Sequence, residues 1–169
     1  MPIFTFRQWV AGGAVILLIS LAAWYFWPAG PVISQLDRRL DQMLGAMEKT
    51  GEESQFVQIG VAREVQGFFT SDVQLQIGPP VGQIEGRPDI QRAVIGGRAQ
   101  AETLSFSTAN RQAEVREDES EAIYEVTVRG NAQVGGQRRT DSVRVQINWV
   151  RQEGNWLIQS IRLLEDLEE

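Results

Sequence analysis

The sequence predicts an α+β protein: an N-terminal transmembrane helix, followed by a domain in which three helices pack on one face of a curved, largely antiparallel sheet. Three observations lead to this fold class. Residues 9–27 carry no charge, helical periodicity is concentrated before residue 102, and apolar and polar residues alternate over most of the chain after it. Helices that precede a run of antiparallel strands are typical of α+β domains, in which the helices cover one face of the sheet.

The first predicted element is the uncharged run WVAGGAVILLISLAAWYFW, residues 9–27. As a helix it would be about 28 Å long at about 1.5 Å per residue, close to the ~30 Å hydrocarbon thickness of a bilayer. Trp9 at one end and Trp24, Tyr25 and Trp27 at the other suit the two membrane interfaces, where aromatic side chains are enriched. The apolar part of a secretion signal is shorter, about 7–15 residues, so the pattern favours a membrane anchor over a cleaved signal.

The anchor divides the chain into a tail at residues 1–8, the helix, a linker at residues 28–33 and a domain at residues 34–169. Arg7 lies close to the N-terminal end of the helix, which favours a cytoplasmic N terminus and an extracytoplasmic domain, periplasmic in a bacterium. We therefore expect a single-pass membrane protein that contacts membrane lipid through residues 9–27. The short linker would hold the domain near the bilayer surface.

Three amphipathic helices are predicted in the domain. The first covers residues 33–49 and the second residues 56–69, while the third begins near Pro88 and is weakened or ended by Gly96 and Gly97. Each helix carries apolar side chains at helical spacing, which indicates one face turned towards a core. These apolar positions are Leu36, Leu40, Met43, Leu44 and Met47, then Val57, Val61, Val65 and Phe68 or Phe69, then Ile90, Ala93, Val94 and Ala101.

One strand is predicted before the third helix and four after it. Each shows the period-two alternation of a strand with one buried face, and the turns between the later strands are rich in acids or glycine. The strand at residues 102–115 is less regular and is expected to carry a bulge. The segment between the first strand and the third helix is dense in turn-forming residues and is predicted to be a loop. The strands cover residues 71–77, 102–115, 121–134, 141–151 and 155–164.

Composition excludes several classes of function. The chain has no cysteine and no histidine, and Lys49 is its only lysine, so disulfides, zinc sites with thiolate or imidazole ligands, a cysteine nucleophile and nearly every Schiff-base mechanism are excluded. The net charge of -6 disfavours a nucleic-acid partner, which needs a concentrated basic face. The acidic run at residues 117–121 lacks the spacing of a calcium loop and suits a solvated hairpin tip. No metal and no cofactor are expected.

The segments VQINWVRQEGNWLIQSIRLL and GQIEGRPDIQRAV resemble the closing hairpin and the turn into the third helix of the nuclear transport factor 2-like superfamily. The resemblance covers about residues 34–164 and implies a cone of three helices against a strongly curved sheet. The superfamily contains isomerases, dehydratases, transport adaptors and assembly subunits, and membrane-anchored members exist. Its enzymes place acids, tyrosines or histidines inside the cone, and the resemblance transfers no such set to this chain.

Five aromatic residues are candidates for lining a pocket inside the cone: Phe69, Phe106, Tyr124, Trp149 and Trp156. A mainly apolar cavity with one phenol and one indole donor would suit a small hydrophobic ligand. The alternative is that these rings fill the core, which is the commoner role of buried aromatic side chains.

The carboxylates nearest to predicted strand ends or helix starts are those of Asp72, Asp89 and Asp141. A buried carboxylate with a raised pKa can act as a general base. Each of the three also suits an ordinary position, however: a loop edge, a first helical turn and a hairpin shoulder. No catalytic, cofactor-binding or metal-binding residue is therefore assigned.

Two functions follow from these expectations. The poverty of catalytic side chains favours an anchored interaction or assembly module, which would bind a protein partner or form a homodimer through the sheet. The alternative is an anchored enzyme or carrier that acts on a small apolar ligand inside the cone. The volume of that interior, and whether an acid points into it, distinguishes the two.

Overall fold

The computed structural model describes residues 31–78 and 82–164, and the unit that contains the domain begins at Val32. Helix-forming and strand-forming segments follow the predicted order, with one additional strand. The elements are α1 Pro31–Met47, α2 Gln55–Gln66, β1 Phe69–Gly78, β2 Gly82–Glu85, α3 Gly86–Gln100, β3 Thr103–Val115, β4 Glu121–Val134, β5 Gln137–Gln152 and β6 Asn155–Leu164.

The predicted membrane span lies outside the described residues, as do Trp9, Trp24, Tyr25 and Trp27. Within residues 31–78 and 82–164, no helix is both long enough and apolar enough to cross a bilayer.

The six strands form one curved sheet in the order β2-β1-β6-β5-β4-β3. Among the described strands, β1 and β6 pair in parallel, whereas β3, β4, β5 and β6 form an antiparallel meander. The parallel pair arises because the chain leaves β1 through β2 and α3, starts the meander at the far edge, and ends it beside β1. This confirms a largely antiparallel sheet with three helices.

One continuous apolar core lies between the helices and the inner sheet face. Leu36 and Leu40 of α1 are almost completely buried, as are Val126 and Ile147 of the sheet. The predicted face of β4 is buried at Ala122, Tyr124 and Val126, and becomes partly exposed towards the β4–β5 turn. The helices therefore cover the first half of β4 and leave its far end uncovered.

Two helix boundaries differ from the prediction. Helix α1 begins at Pro31 and not at Ile33 as predicted. Helix α2 ends at Gln66, because Gly67 closes its last turn and the carbonyl of Phe68 accepts the amide N–H of Ile158 at 2.8 Å. Pairing with β6 thus draws Phe69 into a strand.

Of the two effects expected of Gly96 and Gly97, an end to α3 is not observed, because the helix continues to Gln100 despite the modest cost of glycine in a helix. The predicted loop after β1 contains β2, whose Ile84 is 8 % exposed and lies opposite Leu75. A four-residue strand is too short to show a clear alternation in sequence.

The predicted bulge and hairpins are present. In β3 the register shifts by one residue between Ala109 and Gln112, where Asn110 has a φ of 52°. The β5–β6 turn has positive φ at both central residues, 50° at Glu153 and 81° at Gly154, which is the arrangement of a type I′ turn. The bulge turns the side chain of Arg111 towards α1, where it meets Asp41.

Candidate functional site

An apolar cavity of about 380 Å³ lies between the three helices and the inner face of the sheet. Helix α3 leaves room for it with two small residues, Ala93 and Gly97, and no atom lies within 4 Å of the position that a Cβ on Gly97 would take. The cavity is lined by Met43, Met47, Val65, Phe69, Leu75, Ile77, Ile84, Ile90, Ala93, Val94, Gly97, Arg98, Leu104, Phe106 and Ile161.

The residues that line the cavity offer almost no reactive side chains. Apart from Arg98, every lining residue has an apolar side chain or is glycine. No lining side chain is a carboxylate, hydroxyl, phenol or thiol, so none can accept or relay a proton at neutral pH. The cavity can hold an apolar molecule by contact, but its own walls offer no general base.

The one charged lining residue, Arg98, is 3 % exposed and its guanidinium is already engaged. It donates to the last carbonyls of α1 and to the residue after it, at 2.7 Å to Met47 and 3.1 Å to Glu48. It also donates to both carboxylate oxygens of Glu53, with 3.2 Å from Nε. Arg98 thus caps the C-terminal end of α1.

Lys49 makes the reciprocal contact. Its side chain is buried, and its Nζ donates at 2.8 Å to the carbonyl of Arg98 and at 2.6 Å to that of Ala101, at the C-terminal end of α3. Lys49, which follows α1, therefore caps α3, and Arg98, which lies in α3, caps α1. We name this arrangement of Lys49, Glu53 and Arg98 the cross-cap.

The cross-cap compensates its own charge. The Arg98 guanidinium pairs with the Glu53 carboxylate, and each of the two cations also lies on a helix C terminus, which carries a partial negative charge. The cross-cap therefore holds the ends of α1 and α3 together, and it does not present a free positive charge to the cavity.

The five predicted pocket residues fall into two groups. Phe69 and Phe106 line the apolar cavity, and the ring of Phe106 packs over Gly130 on the neighbouring strand. Tyr124, Trp149 and Trp156 do not line it and lie in the core, although Trp149 borders a second, more polar depression on the sheet. The indole N–H groups of Trp149 and Trp156 have no hydrogen-bond partner among the described residues.

Tyr124 instead joins a polar cluster between α1 and β3. Its hydroxyl donates to Asp37, and Arg111 at the β3 bulge lies 3.4 Å from Asp37 and 3.3 Å from Asp41. Burial, and then the hydrogen bond to Asp37, raise the pKa of the Tyr124 phenol far above its usual value. A phenol held neutral in this way is a structural donor and not a base.

The three carboxylates considered in the sequence lie outside the cavity. Asp72 is exposed, Asp89 pairs with Arg92 one turn further along α3, and Asp141 accepts the amide N–H of Ser142 at 2.8 Å. Among the described residues, no group of carboxylates is arranged to hold a metal ion.

Sequence reasoning missed the cross-cap and the role of Gly97. Lys49 stood out as the only lysine, but nothing in its neighbourhood indicated burial. Arg98 and Lys49 are 49 positions apart, so their contact depends on the tertiary arrangement of α1 and α3. A charged residue at an apolar helical position, as Arg98 is relative to Ile90 and Val94, was the available signal.

Three helices against a curved mixed sheet, with an apolar cavity between them, define a nuclear transport factor 2-like domain. Residues 54–162, more than half of the chain, match the SnoaL-like domain model, and the chain belongs to this family within the superfamily. Among curated proteins no relative was found.

Solved structures show the same fold. A protein from Catenulispora acidiphila superposes with a TM-score of 0.64 at 16% identity, covering 83% of this chain and 95% of that one. A proposed dehydratase of the NTF2-like family from Streptomyces avermitilis gives 0.64 at 13% identity, covering 81% and 99%. A proposed scytalone dehydratase from Novosphingobium aromaticivorans gives 0.61 at 15% identity, covering 78% and 81%. At these identities the likeness concerns the fold alone.

Proposed function

We propose that the domain binds a small apolar molecule in the cavity between its helices and sheet, and holds or carries it without turnover. The observation that carries this proposal is the lining, in which Arg98 is the one residue that is neither apolar nor glycine. The volume of about 380 Å³ is in the range of small-molecule sites, roughly 300–1,000 Å³.

The chemistry of the walls favours binding over dehydration. Two of the similar structures are described as proposed dehydratases, and dehydration requires proton transfer to and from the substrate. Here the nearest acid in the cross-cap, Glu53, is held by Arg98, and the Tyr124 phenol donates to Asp37 away from the cavity. A ligand would contact carbon atoms at nearly every lining residue.

The membrane anchor predicted at residues 9–27 fits this proposal. A domain tethered near a bilayer would meet lipid-derived or other apolar compounds at high local concentration. Assembly with a protein partner, the other function considered, does not require an apolar cavity of this size inside the domain.

Filling the cavity from α3 tests the proposal. Gly97→Leu places a side chain in the open space of the cavity, whereas Gly96→Leu places one in equally open space that does not line it. Both changes replace a helical glycine and should raise helix stability by about 0.5–1 kcal/mol. The two variants therefore match in stability and differ in the cavity.

The assay is photolabelling of the full chain with an alkyl diazirine, followed by mass spectrometry to locate the adducts. We expect adducts on Met43, Met47 and the facing strands in the unchanged chain and in Gly96→Leu, and their loss in Gly97→Leu. Because adducts are read by position, labelling of detergent or of residues 9–27 does not interfere. Equal labelling of the cavity residues in both variants would refute the proposal.

A further inference from the structure

We propose that the outer edge of β5 at residues 137–143 binds an extended acidic segment of a partner protein, which adds to the sheet as a further strand. We name these residues the basic edge. The inference concerns residues that do not line the apolar cavity, and it does not depend on the proposed ligand.

The basic edge is paired on one side. Residues 137–150 of β5 pair with β4 in an unbroken register, but pairing with β6 begins at Arg144, which lies opposite Leu164. Along residues 137–143 no described strand pairs with the side of β5 that faces away from β4. Seven residues of strand therefore present an open backbone edge within the described part of the chain.

The backbone groups at this edge can be assigned. The amide N–H of Arg151 donates to the carbonyl of Ser120 at 2.8 Å, so the backbone N–H and C=O groups of odd-numbered β5 residues face β4. The backbone groups of even-numbered residues face away from β4, because the direction of these groups alternates along a strand. Ser142 agrees, since its N–H donates to the side chain of Asp141 at 2.8 Å. Arg138, Thr140 and Ser142 thus offer their N–H and C=O groups outwards.

The side chains around this edge are basic in an acidic protein. Arg138 and Arg139 are exposed and make no ion pair or hydrogen bond with any described side chain, and the same holds for Arg129, opposite Ser142 on β4. Arg144 pairs with Glu125 at 2.8 Å. Asp141 is the one carboxylate among residues 137–143, whereas the whole chain has a net charge of -6.

The positive charge of the basic edge favours an acidic strand as its partner. Exposed edges are commonly protected by charged side chains, which repel strands of like charge and lose hydration when an uncharged strand pairs beside them. A second copy aligned on the same edge would bring two sets of arginines together, with one Asp141 on each side. A strand with acidic residues at consecutive positions would instead face Arg138 on the outer sheet surface and Arg139 on the inner one, and would satisfy the backbone as well.

The test uses a fluorescein-labelled strand-forming peptide with Glu at consecutive central positions and Val on either side, a second peptide with Lys in place of Glu, and the full chain. We expect the acidic peptide to bind, the basic one not to, and amide hydrogen exchange to slow at residues 137–143. Changing Arg138→Gln and Arg139→Gln together should weaken binding at least tenfold by fluorescence anisotropy. Asp141→Ala should strengthen it several-fold, because it removes the opposing charge and frees the N–H of Ser142.

Proline at Ser142 separates strand addition from simple charge attraction. Ser142→Pro removes an outward N–H that the β4 ladder does not use and leaves every charge in place. The matched control Ser142→Ala keeps that N–H. Loss of binding in Ser142→Pro, with binding retained in Ser142→Ala and an unchanged melting temperature, would support the proposal.

Several outcomes would overturn it. Equal binding by both Ser142 variants, or equally strong binding to anionic vesicles without protection of the basic edge, would reduce the effect to charge alone. Binding that appears only when residues 165–169 are deleted would show that the chain covers its own edge. Spontaneous disulfide dimers of Thr140→Cys, in a chain that otherwise has no cysteine, would make a second copy the occupant.

Discussion

Replacing Arg98 with methionine should destabilise the domain strongly, although the residue lies in no catalytic arrangement. The change leaves the carbonyls of Met47 and Glu48 without their donor and leaves the Glu53 carboxylate, whose side chain is 17% exposed, without its partner. Breaking a buried ion pair from one side costs about 3–5 kcal/mol. With a urea m-value of about 2 kcal/mol per M, the unfolding midpoint should fall by about 2 M.

The measurement is urea unfolding of the full chain, followed by the fluorescence of the buried tryptophans. Glu53→Gln is the matched control, because it removes the negative charge and keeps an acceptor for Arg98, so a smaller loss of about 1–2 kcal/mol is expected. The loss of stability in Lys49→Met should lie between these two values, because the change removes the donor of two carbonyls at the end of α3 but leaves no carboxylate without a partner. An Arg98→Met variant within about 0.5 kcal/mol of the unchanged chain, the range of an ordinary surface substitution, would refute the cross-cap as a source of stability.

Two further predictions concern single residues. The pKa of Tyr124 is raised in the folded domain, whereas a tyrosine in the unfolded chain has a pKa of about 10. As the pH rises, the unfolded chain therefore loses this proton first. The free energy of unfolding should be unaffected below pH 10 and should fall above it by up to about 1.4 kcal/mol per pH unit. Urea unfolding from pH 9 to 11.5 measures this, and Tyr124→Phe should remove the dependence; an identical slope in that variant would assign it to other groups. Glu153→Asn should raise the melting temperature, with a gain of about 0.5–1 kcal/mol, because asparagine tolerates the positive φ before Gly154 better than glutamate does. Differential scanning calorimetry gives the shift, and a lower melting temperature would contradict a strained turn.

The sheet could be predicted from the sequence because its signal is local. Alternation along β4 and hairpin turns at acid-rich or glycine-containing segments require only neighbouring residues; the turns lie where expected, and the expected face of β4 is buried in its first half. The irregular alternation along residues 102–115 likewise indicated that β3 carries a bulge.

Features that depend on distant partners were not predictable in this way. Phe69 has helical spacing with Val65, but pairing beside Ile158 makes it a strand residue. Val57 has the same spacing and is 48% exposed, because the start of α2 extends beyond the core. In each case a tertiary contact decided between two structures that the local pattern allowed equally.

The candidate site was predictable only in part. Aromatic character pointed to Phe69 and Phe106, which line the cavity, and equally to Tyr124 and Trp156, which do not. Which ring faces the cavity depends on where α3 carries small residues, and Gly97 was interpreted only as a residue that weakens or ends the helix. The cavity is thus defined by the absence of a side chain, a property that hydrophobic periodicity does not report.

The cross-cap has a consequence for how this protein can change over generations. Since Lys49 ends α3 and Arg98 ends α1, a substitution at either position damages a helix that lies elsewhere in the chain. Each position is constrained by backbone carbonyls of the remote helix and not by the other side chain, so each can change only to a residue that still reaches those carbonyls. A basic residue kept at each of these two positions would mark the members of the family that close their helices in the same way.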